Sequence, residues 1–212
     1  VFSHLAAAGD PGADEFTHHQ LRQFEELAAP FQEQYPAIVP HVLNSGGAIR
    51  FPAHAHGMIR LGLSLYGIAT GEGLSEPLQE ISSLHSTLSQ VRTYPAGTSI
   101  GYGRSAVLAQ ATRVGTVPVG YADGLPLALS NGAGAALVRG QRCPILGRVC
   151  MDMLMLDLTP APGSEAGDEV VFFGRQGDAE QSVEELAHAA GTIPYEILTG
   201  ISERVRRIFE KE

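Results

Sequence analysis

Apolar residues recur at helical spacing in one early stretch of the chain. Between residues 14 and 34 they lie three or four positions apart, with polar side chains between them, as on one face of an amphipathic helix. We therefore predict a helix there, closed by Pro36. Its apolar face is predicted to contain Leu21, Phe24, Leu27, Ala28 and Phe31.

Short apolar runs flank this helix. Residues 1–3, 38–43 and 58–60 have the composition of strands, and the run at 38–43 suits burial on both faces. Alternating strands and helices, with polar residues just after the strands, are typical of a (β/α) barrel. About three such units are present, whereas eight close a barrel. We therefore predict an α/β + β chain in which residues 1–76 are the incomplete C-terminal part of a (β/α)8 TIM-type barrel.

Beyond Gly71 the pattern changes to short β-prone runs separated by turn residues. The runs cover residues 107–119, 135–138, 145–149, 154–158 and 170–173. One helix interrupts them, because Ser182 and Glu185 form a capping box and Gly191 suits the C-terminal stop. The segment 78–94 is ambiguous, since its leucines fit a helix while its position favours a strand. We predict a mostly-β C-terminal domain at residues 77–212.

Composition narrows the functional classes. The 212 residues are 44% hydrophobic and 17% charged, with a formal net charge of -9, a balance typical of a globular protein. The negative charge argues against nucleic acid or an anionic membrane as partner. No apolar run approaches the roughly 20 residues that a membrane helix needs. Since a charged-then-apolar leader is also missing, we expect a cytoplasmic protein.

Few residues suit disulfide or metal chemistry. Cys143 and Cys150 lie in apolar stretches without a CxxC pattern, so we expect two buried, reduced thiols. His54 and His56 lack flanking acidic residues and a ligand spacing, so we expect no metal site. The chain starts at Val1 rather than at a methionine, which we interpret as the mark of a fragment.

Two glycine-rich segments can carry chemistry. Ser45, after a predicted strand and before two glycines, suits a phosphate cradle and an ordinary turn alike. Tyr102 lies between two glycines, which can expose its phenol as an acid or base, although a glycine-bent turn explains the same pattern. Tyr121 and Asp152 read locally as turn or edge residues, and Tyr195 as the start of a helix. These segments alone do not decide whether the residues have a chemical function or only form turns.

Four segments together resemble one family. They are residues 58–67 (MIRLGLSLYG), 120–124 (GYADG), 147–152 (GRVCMD) and 191–197 (GTIPYEI), the last followed by Ile201-Ser202 and Arg204-Val205. In this order they are similar to the segments of alanine racemases, and they span nearly the whole chain. The residues depart from the family pattern at Leu127, where an arginine is common, and at Arg206, where a proline is usual.

The resemblance implies a fold-type III enzyme that interconverts L- and D-alanine with pyridoxal 5'-phosphate (PLP) and supplies D-alanine for cell-wall peptidoglycan. Such enzymes combine a barrel with a β domain and act as head-to-tail homodimers. Their two bases are a tyrosine, matched by Tyr102, and a lysine that binds the cofactor as a Schiff base. The single lysine here is Lys211, near the chain's end, which does not match. We therefore expect the chain to be inactive alone.

The resemblance also assigns roles to the matching residues. Tyr102 matches the catalytic and substrate-contacting tyrosine, and Met151 matches a residue whose backbone N–H meets the substrate carboxylate. Arg60 matches the arginine at the pyridine nitrogen. The remaining cofactor-binding matches are His4, Ser45, Gly62, Leu63 and Tyr195, and the substrate-corridor matches are Tyr121, Arg148 and Asp152.

Two alternatives stay open from the sequence. A fold-type III amino-acid decarboxylase would share the barrel and the β domain, although its β-domain motifs differ from those quoted above. A non-catalytic β-domain fragment that acts in dimerisation would explain the unmatched lysine.

Overall fold

The chain folds into two units, Val1–Ile81 and Ser82–Glu212, in a computed structural model that describes residues 1–74 and 77–210. Lys211, which was predicted not to match the cofactor-binding lysine, lies outside the described residues. Within the described residues, none of the helices is both long enough and apolar enough to span a membrane.

The first unit contains the predicted amphipathic helix, α1 (Asp14–Gln34). It buries Thr17, Leu21, Phe24 and Ala28 on one face, and the prediction of the helix is confirmed. Leu27 and Phe31 were also predicted on that face, which is wrong: they are 70% and 50% exposed. Leu27 is rotated off the stripe that residues at i, i+3/i+4 and i+7 form along a helix. Phe31 continues that spacing seven residues after Phe24, but it lies in the last turn of α1 and is not part of the buried cluster.

The rest of the first unit consists of one short helix, three 3-10 turns and a buried apolar cluster. Helix α2 (Ser45–Arg50) is short and begins where the side chain of Asn44 accepts a hydrogen bond from the Gly47 N–H at 2.9 Å, an N-cap that fixes its start. Three 3-10 turns complete the unit at Pro11–Ala13, Pro52–His54 and Leu63–Tyr66. The buried cluster consists of Leu5, Ala8, Leu21, Phe24, Ala28, Val42, Leu43 and Phe51.

The strands predicted at residues 1–3, 38–43 and 58–60 are not formed as ladders, so that prediction is wrong in detail. Phe2 and His41 form an isolated parallel bridge, and the Arg60 N–H donates to the Leu43 carbonyl at 3.0 Å. A strand requires a continuous series of such bonds to a neighbour. Segments 1–3 and 38–43 exchange only a few backbone bonds, from the Ser3 N–H to the His41 carbonyl and from the His41 N–H to the Val1 carbonyl.

The second unit is mostly β-structure, as predicted, and its strands pair in antiparallel fashion. Its strands are β1 Leu84–Thr87, β2 Gln90–Tyr94, β3 Ser99–Ile100, β4 Ala106–Val107, β5 Thr112–Val117, β6 Ala135–Val138, β7 Gln141–Leu146, β8 Leu154–Asp157, β9 Glu169–Gln176 and β10 Ala179–Gln181. The main sheet has the order β1-β9-β6-β7-β8-β5-β2, with β10 also paired to β9, and β3 pairs with β4 in a separate ribbon.

Sequence pattern and strand positions agree well in this unit. The run at residues 170–173 lies within β9 and is buried throughout, which explains its unbroken apolar composition. The run at 107–119 is divided between β4 and β5, and β7 ends at Leu146 because Gly147 turns the chain with a φ of +69°. The ambiguous segment 78–94 forms strands β1 and β2 rather than a helix.

Two helices follow the sheet. Helix α3 (Val183–Ala190) has the predicted capping box between Ser182 and Glu185 and ends at Gly191 in the left-handed conformation. Both features are confirmed, and they satisfy the backbone groups that a helix leaves unpaired at its ends. Helix α4 (Pro194–Gly200) starts with its proline in the first turn, where a missing N–H has no cost.

Candidate active site

Arg60 is the centre of the polar network in the first unit. Its guanidinium donates to the Ser3 carbonyl at 2.7 Å and to Nδ1 of His4 at 3.2 Å through Nη2. Through Nη1 it approaches Nδ1 of His41 at 2.5 Å. Since arginine has no acceptor and keeps its charge near neutral pH, each of these partners must offer a lone pair. The structure thus brings together the predicted cofactor residues His4 and Arg60.

His41 is a partner of Arg60 that the sequence did not reveal. Burial and the charge of Arg60 both lower the pKa of His41. A neutral imidazole can present Nδ1 as an acceptor, whereas a protonated one cannot. His41 therefore supports the guanidinium instead of repelling it. Its place within the apolar run 38–43 was the one available signal, and that signal does not distinguish a histidine that supports Arg60 from one that faces solvent.

Ser45 and Gly62, both predicted to bind the cofactor, are in direct contact. The Gly62 N–H donates to Oγ of Ser45 at 2.9 Å, and Ser45 is 2% exposed. Because the serine oxygen accepts this bond, its own O–H is left to donate elsewhere. Gly46 follows in the same turn, where a Cβ would lie 2.6 Å from the Thr70 carbonyl oxygen, so the backbone approach needs glycine. The predicted residue Leu63, which follows Gly62, is buried.

Tyr102 lies in the loop between β3 and β4 of the second unit, and its side chain is 70% exposed. The ribbon that carries it packs through Ile100 and Leu108 onto Val114 of β5. An open cavity of about 390 Å³ adjoins the loop. It is lined by Gly101, Tyr102, Cys150, Met151, Asp152, Met153 and Met155. The structure thus places the predicted residues Tyr102, Met151 and Asp152 around one cavity.

The predicted corridor residue Tyr121 lies in a turn that packs against the loop that carries Cys150 and Met151. Its N–H donates to the Cys150 carbonyl at 3.0 Å, and the next N–H, of Ala122, donates to the Met151 carbonyl at 3.0 Å. A Cβ at Gly120 would lie 2.2 Å from the Cys150 carbonyl oxygen. The motifs GYADG and GRVCMD are therefore structural neighbours joined through their backbones.

Three predicted site residues are found at the surface of the second unit without lining the cavity. Among the described residues, Tyr121, Arg148 and Tyr195 are all exposed side chains outside that lining. Tyr195 follows the first residue of α4, as its local sequence suggested. Their predicted roles as corridor and cofactor contacts stay predictions.

Arg204 follows the GTIPYEI segment, and no role was predicted for it. Its Nη2 lies 2.7 Å from Oδ1 of Asp152, and its Nε lies 3.4 Å from Oδ1 of Asp123. The other oxygen of Asp123 accepts the Gly120 N–H at 2.9 Å. The hydrogen bond to Asp152 and then the charge of Asp123 raise the pKa of Arg204. Nothing in the local sequence around Arg204 indicates these two distant partners.

Two expectations about reactive side chains need correction. Cys143 is buried, but Cys150 is partly exposed at the cavity, because its loop turns away from β7 after Gly147. His54 and His56 do have an acidic partner, since Oε1 of Glu25 lies 2.7 Å from one ring and 3.6 Å from the other. The partner comes from α1 and is therefore invisible in local sequence. Within the described residues, no group of three or more ligand-type side chains is arranged to hold a metal ion.

Comparison with protein families gives two adjacent matches. The model described as "Alanine racemase, N-terminal domain" matches residues 1–70, and the model described as "Alanine racemase, C-terminal domain" matches residues 81–209. Together they account for nearly all of the chain.

Individual relatives agree with the family matches. The alanine racemase of Sorangium cellulosum (strain So ce56) is 42% identical over 218 residues, covering 100% of this chain and 56% of the relative. The solved alanine racemase of Streptomyces coelicolor A3(2) superposes with a TM-score of 0.89 at 34% identity, covering 100% of this chain and 56% of that one. The Bartonella henselae alanine racemase, solved with covalently bound pyridoxal phosphate, has a TM-score of 0.85 at 30% identity, with 98% and 55% covered. The chain thus spans about half the length of the relatives it matches.

Proposed function

Because this chain belongs to the alanine racemase family, we propose that it is part of a PLP-dependent enzyme that interconverts L- and D-alanine. The observation that carries the proposal is the cavity that groups Tyr102, Met151 and Asp152. The resemblance assigned Tyr102 to catalysis, Met151 to substrate contact and Asp152 to the substrate corridor. The matched relatives are nearly twice as long as this chain, so the activity is proposed for the whole protein.

The residues of the first unit fit the cofactor. A phosphate group requires donors, and the Ser45 hydroxyl has its O–H left to donate, since its oxygen already accepts the Gly62 N–H. Ser45 also opens helix α2, whose first N–H groups have no acceptor within the helix. Tyr195 is proposed as a further phosphate contact on the resemblance. A Bartonella relative is solved with this cofactor bound, which supports the assignment.

Arg60 is proposed to face the pyridine nitrogen of the cofactor, beside His4. Its guanidinium is held by the Ser3 carbonyl and by His41, so its position does not depend on the cofactor. An arginine donates hydrogen bonds but does not release its proton near neutral pH. The ring nitrogen beside it would therefore stay unprotonated. Bound PLP supplies an electron sink for the pair left on Cα when the substrate proton departs.

Tyr102 is proposed to move the proton on one face of the substrate. Inversion of Cα requires removal of a proton from one face and its return on the other, which one base cannot easily do. The exposed phenol of Tyr102 would act on one face, and a lysine outside this chain would act on the other. The backbone N–H of Met151 would hold the substrate carboxylate. On the resemblance, we propose that Tyr102 of one subunit serves a cofactor held by Arg60 and Ser45 of a second subunit in a head-to-tail homodimer.

The proposal is tested with the full-length protein. Conversion of L- to D-alanine is expected in the wild-type protein, and Tyr102→Phe is expected to reduce kcat by about 10²- to 10⁴-fold, the usual contribution of one acid–base group. Tyr35→Phe is the matched control, since Tyr35 is an exposed tyrosine at the end of α1. Full activity of Tyr102→Phe would remove that residue from catalysis. Release of carbon dioxide without D-alanine would favour the decarboxylase alternative.

A further inference from the structure

Arg204 binds two carboxylates that come from different loops. Its Nη2 contacts Asp152 at 2.7 Å and its Nε contacts Asp123 at 3.4 Å. Asp123 ends the turn that presents Tyr121, and Asp152 follows Met151 directly. One guanidinium thus connects the two loops that carry proposed substrate-contacting residues, through two different nitrogen atoms.

Asp123 is the fixed end of this connection. It is 9% exposed, and its Oδ2 accepts the Gly120 N–H at 2.9 Å. Its carbonyl accepts the Ser202 N–H at 3.1 Å, which ties the segment leading to Arg204 to the same turn. A buried carboxylate that is hydrogen-bonded and paired is a stable anchor. Arg204 is therefore held beside the cavity whether or not a substrate is present.

Asp152 brings a negative charge to the wall of the cavity. The other lining residues, from Gly101 and Tyr102 to Met155, carry no formal charge near neutral pH. The Asp152 side chain is 52% exposed, so its field reaches the space in front of Met151. A carboxylate substrate entering that space would be repelled by an uncompensated carboxylate within a few ångströms. The contact with Arg204 supplies the compensating charge.

On the basis of the proposed function, we propose that Arg204 is a positioning and specificity residue, which neutralises Asp152 so that the cavity accepts a substrate carboxylate at the Met151 backbone. The effect concerns binding of the anion and not proton transfer. Loss of the positive charge therefore raises KM for alanine and leaves kcat nearly unchanged, since an interaction equal in the ground and transition states affects KM alone.

The charge and the hydrogen bond can be separated by substitution. Arg204→Gln keeps a donor for Asp152 but removes the charge, and Arg204→Lys keeps the charge but cannot use two separate nitrogens. Asp152→Asn removes the acidic charge that needs compensation. If Arg204 acts through charge, the double variant Arg204→Gln/Asp152→Asn recovers what Arg204→Gln loses. A purely structural role predicts no such recovery.

The test uses the full-length holoenzyme. Arg204→Gln is expected to raise KM for L-alanine about tenfold, close to the size of one unit-charge interaction over a few ångströms when water screens it, because the Asp152 side chain is 52% exposed. Arg204→Lys is expected to stay closer to wild type, and the double variant to return most of the way. Arg206→Ala is the control, because Arg206 is an exposed arginine two residues away and is expected to behave as wild type. A KM unchanged in Arg204→Gln, or a double variant no better than the single one, overturns the proposal.

A second readout does not depend on turnover. Propionate, which carries the carboxylate of alanine without its amine, is titrated into each variant by calorimetry. The expected order of affinity is wild type and the double variant above Arg204→Gln, and equal affinities would overturn the proposal. If the variants bind propionate in this order but the wild-type protein does not racemise alanine, the proposed function is refuted and the role of Arg204 stays supported. Melting temperatures of all variants show whether a loss of binding reflects unfolding.

Discussion

Gly101 and Gly147 pack directly against each other in the second unit. A Cβ on Gly101 would lie 3.2 Å from the Cα of Gly147 and 2.8 Å from the Arg148 nitrogen, and a Cβ on Gly147 would lie 2.7 Å from the Ile100 carbonyl oxygen. Both glycines have positive φ angles, of 79° and 69°. This contact sets the position of Tyr102, which follows Gly101, relative to the loop that carries Met151.

The first prediction tests this glycine contact. Gly101→Ala is expected to lower the free energy of unfolding by about 3 kcal/mol, because a positive φ and a backbone clash both oppose a Cβ there. Gly103→Ala is the matched control: its φ is 69°, but no atom lies within 4 Å of the added Cβ. That variant is expected to lose about 1 kcal/mol, from the backbone conformation alone. Urea unfolding of both variants provides the measurement, and equal losses would show that packing against Gly147 contributes nothing.

The second prediction contrasts two serines of the first unit. Ser45→Ala removes the acceptor of the Gly62 N–H and is expected to cost about 1–2 kcal/mol, the penalty for an unpaired, partly buried donor. The hydroxyl of Ser64 is also buried but has no hydrogen-bond partner within the described residues. Ser64→Ala is therefore expected to leave stability unchanged or slightly raised. Denaturant titrations of the two variants decide the matter, and a larger loss at Ser64 than at Ser45 would contradict it.

The β domain was predictable from sequence because its signals are local. The buried run in β9 and the capping box at Ser182 each depend on neighbouring residues, whereas the run predicted at 145–149 is cut short where Gly147 turns the chain. The segment 78–94 was undecided, since the spacing of its leucines fits a helix, and the pairing of β1 with distant β9 settles it as a strand. Long-range pairing of this kind overrides local propensity.

Three residues that line the cavity could be singled out from the sequence, but their contacts could not. The family motifs, and the resemblance that rests on them, singled out Tyr102, Met151 and Asp152, which lie around one cavity and whose roles there stay predictions. They did not identify Arg204 as the partner of Asp152, because the two lie 52 positions apart and neither motif indicates a charge partner. His41 beside Arg60 was missed for the same reason. Contacts between side chains depend on how elements pack, and that information is not contained in a short motif.

The third prediction concerns the acid dependence of stability. Glu169 accepts hydrogen bonds from Gln176 at 3.1 Å and from His85 at 2.8 Å. The Gln176 bond lowers the pKa of Glu169 most, burial opposes it, and the His85 bond adds to it, so the pKa falls below its ordinary value of 4.5. A lowered folded-state pKa stabilises the protein above the unfolded-state value, and this contribution is lost as the pH falls through the folded pKa.

Gln176→Ala is therefore expected to raise the Glu169 pKa and to flatten the loss of stability on the acid side. The Glu169 pKa is read by NMR titration of its side-chain carboxyl carbon, and stability by urea unfolding from about pH 3 to about pH 7. Gln90→Ala, at an exposed position on β2, is the control and should leave both curves unchanged. An unaltered Glu169 titration in Gln176→Ala would show that this hydrogen bond does not set the pKa.

The fourth prediction separates the two thiols by reactivity. Burial, with the nearby charge of Asp157, raises the pKa of Cys143 to about 12. At pH 8 about one Cys143 in 10⁴ would then be the reactive thiolate. Burial also raises the pKa of Cys150, but this side chain is partly exposed at the cavity.

A disulfide reagent such as DTNB is therefore expected to label one cysteine in the native protein, slowly, and both after unfolding in urea. Cys150→Ser should abolish the native labelling and Cys143→Ser should preserve it, because Cys143 is buried and Cys150 is partly exposed at the cavity. Labelling of the two thiols at similar rates in the native protein would mean that the sheet opens at β7 far more often than its packing implies.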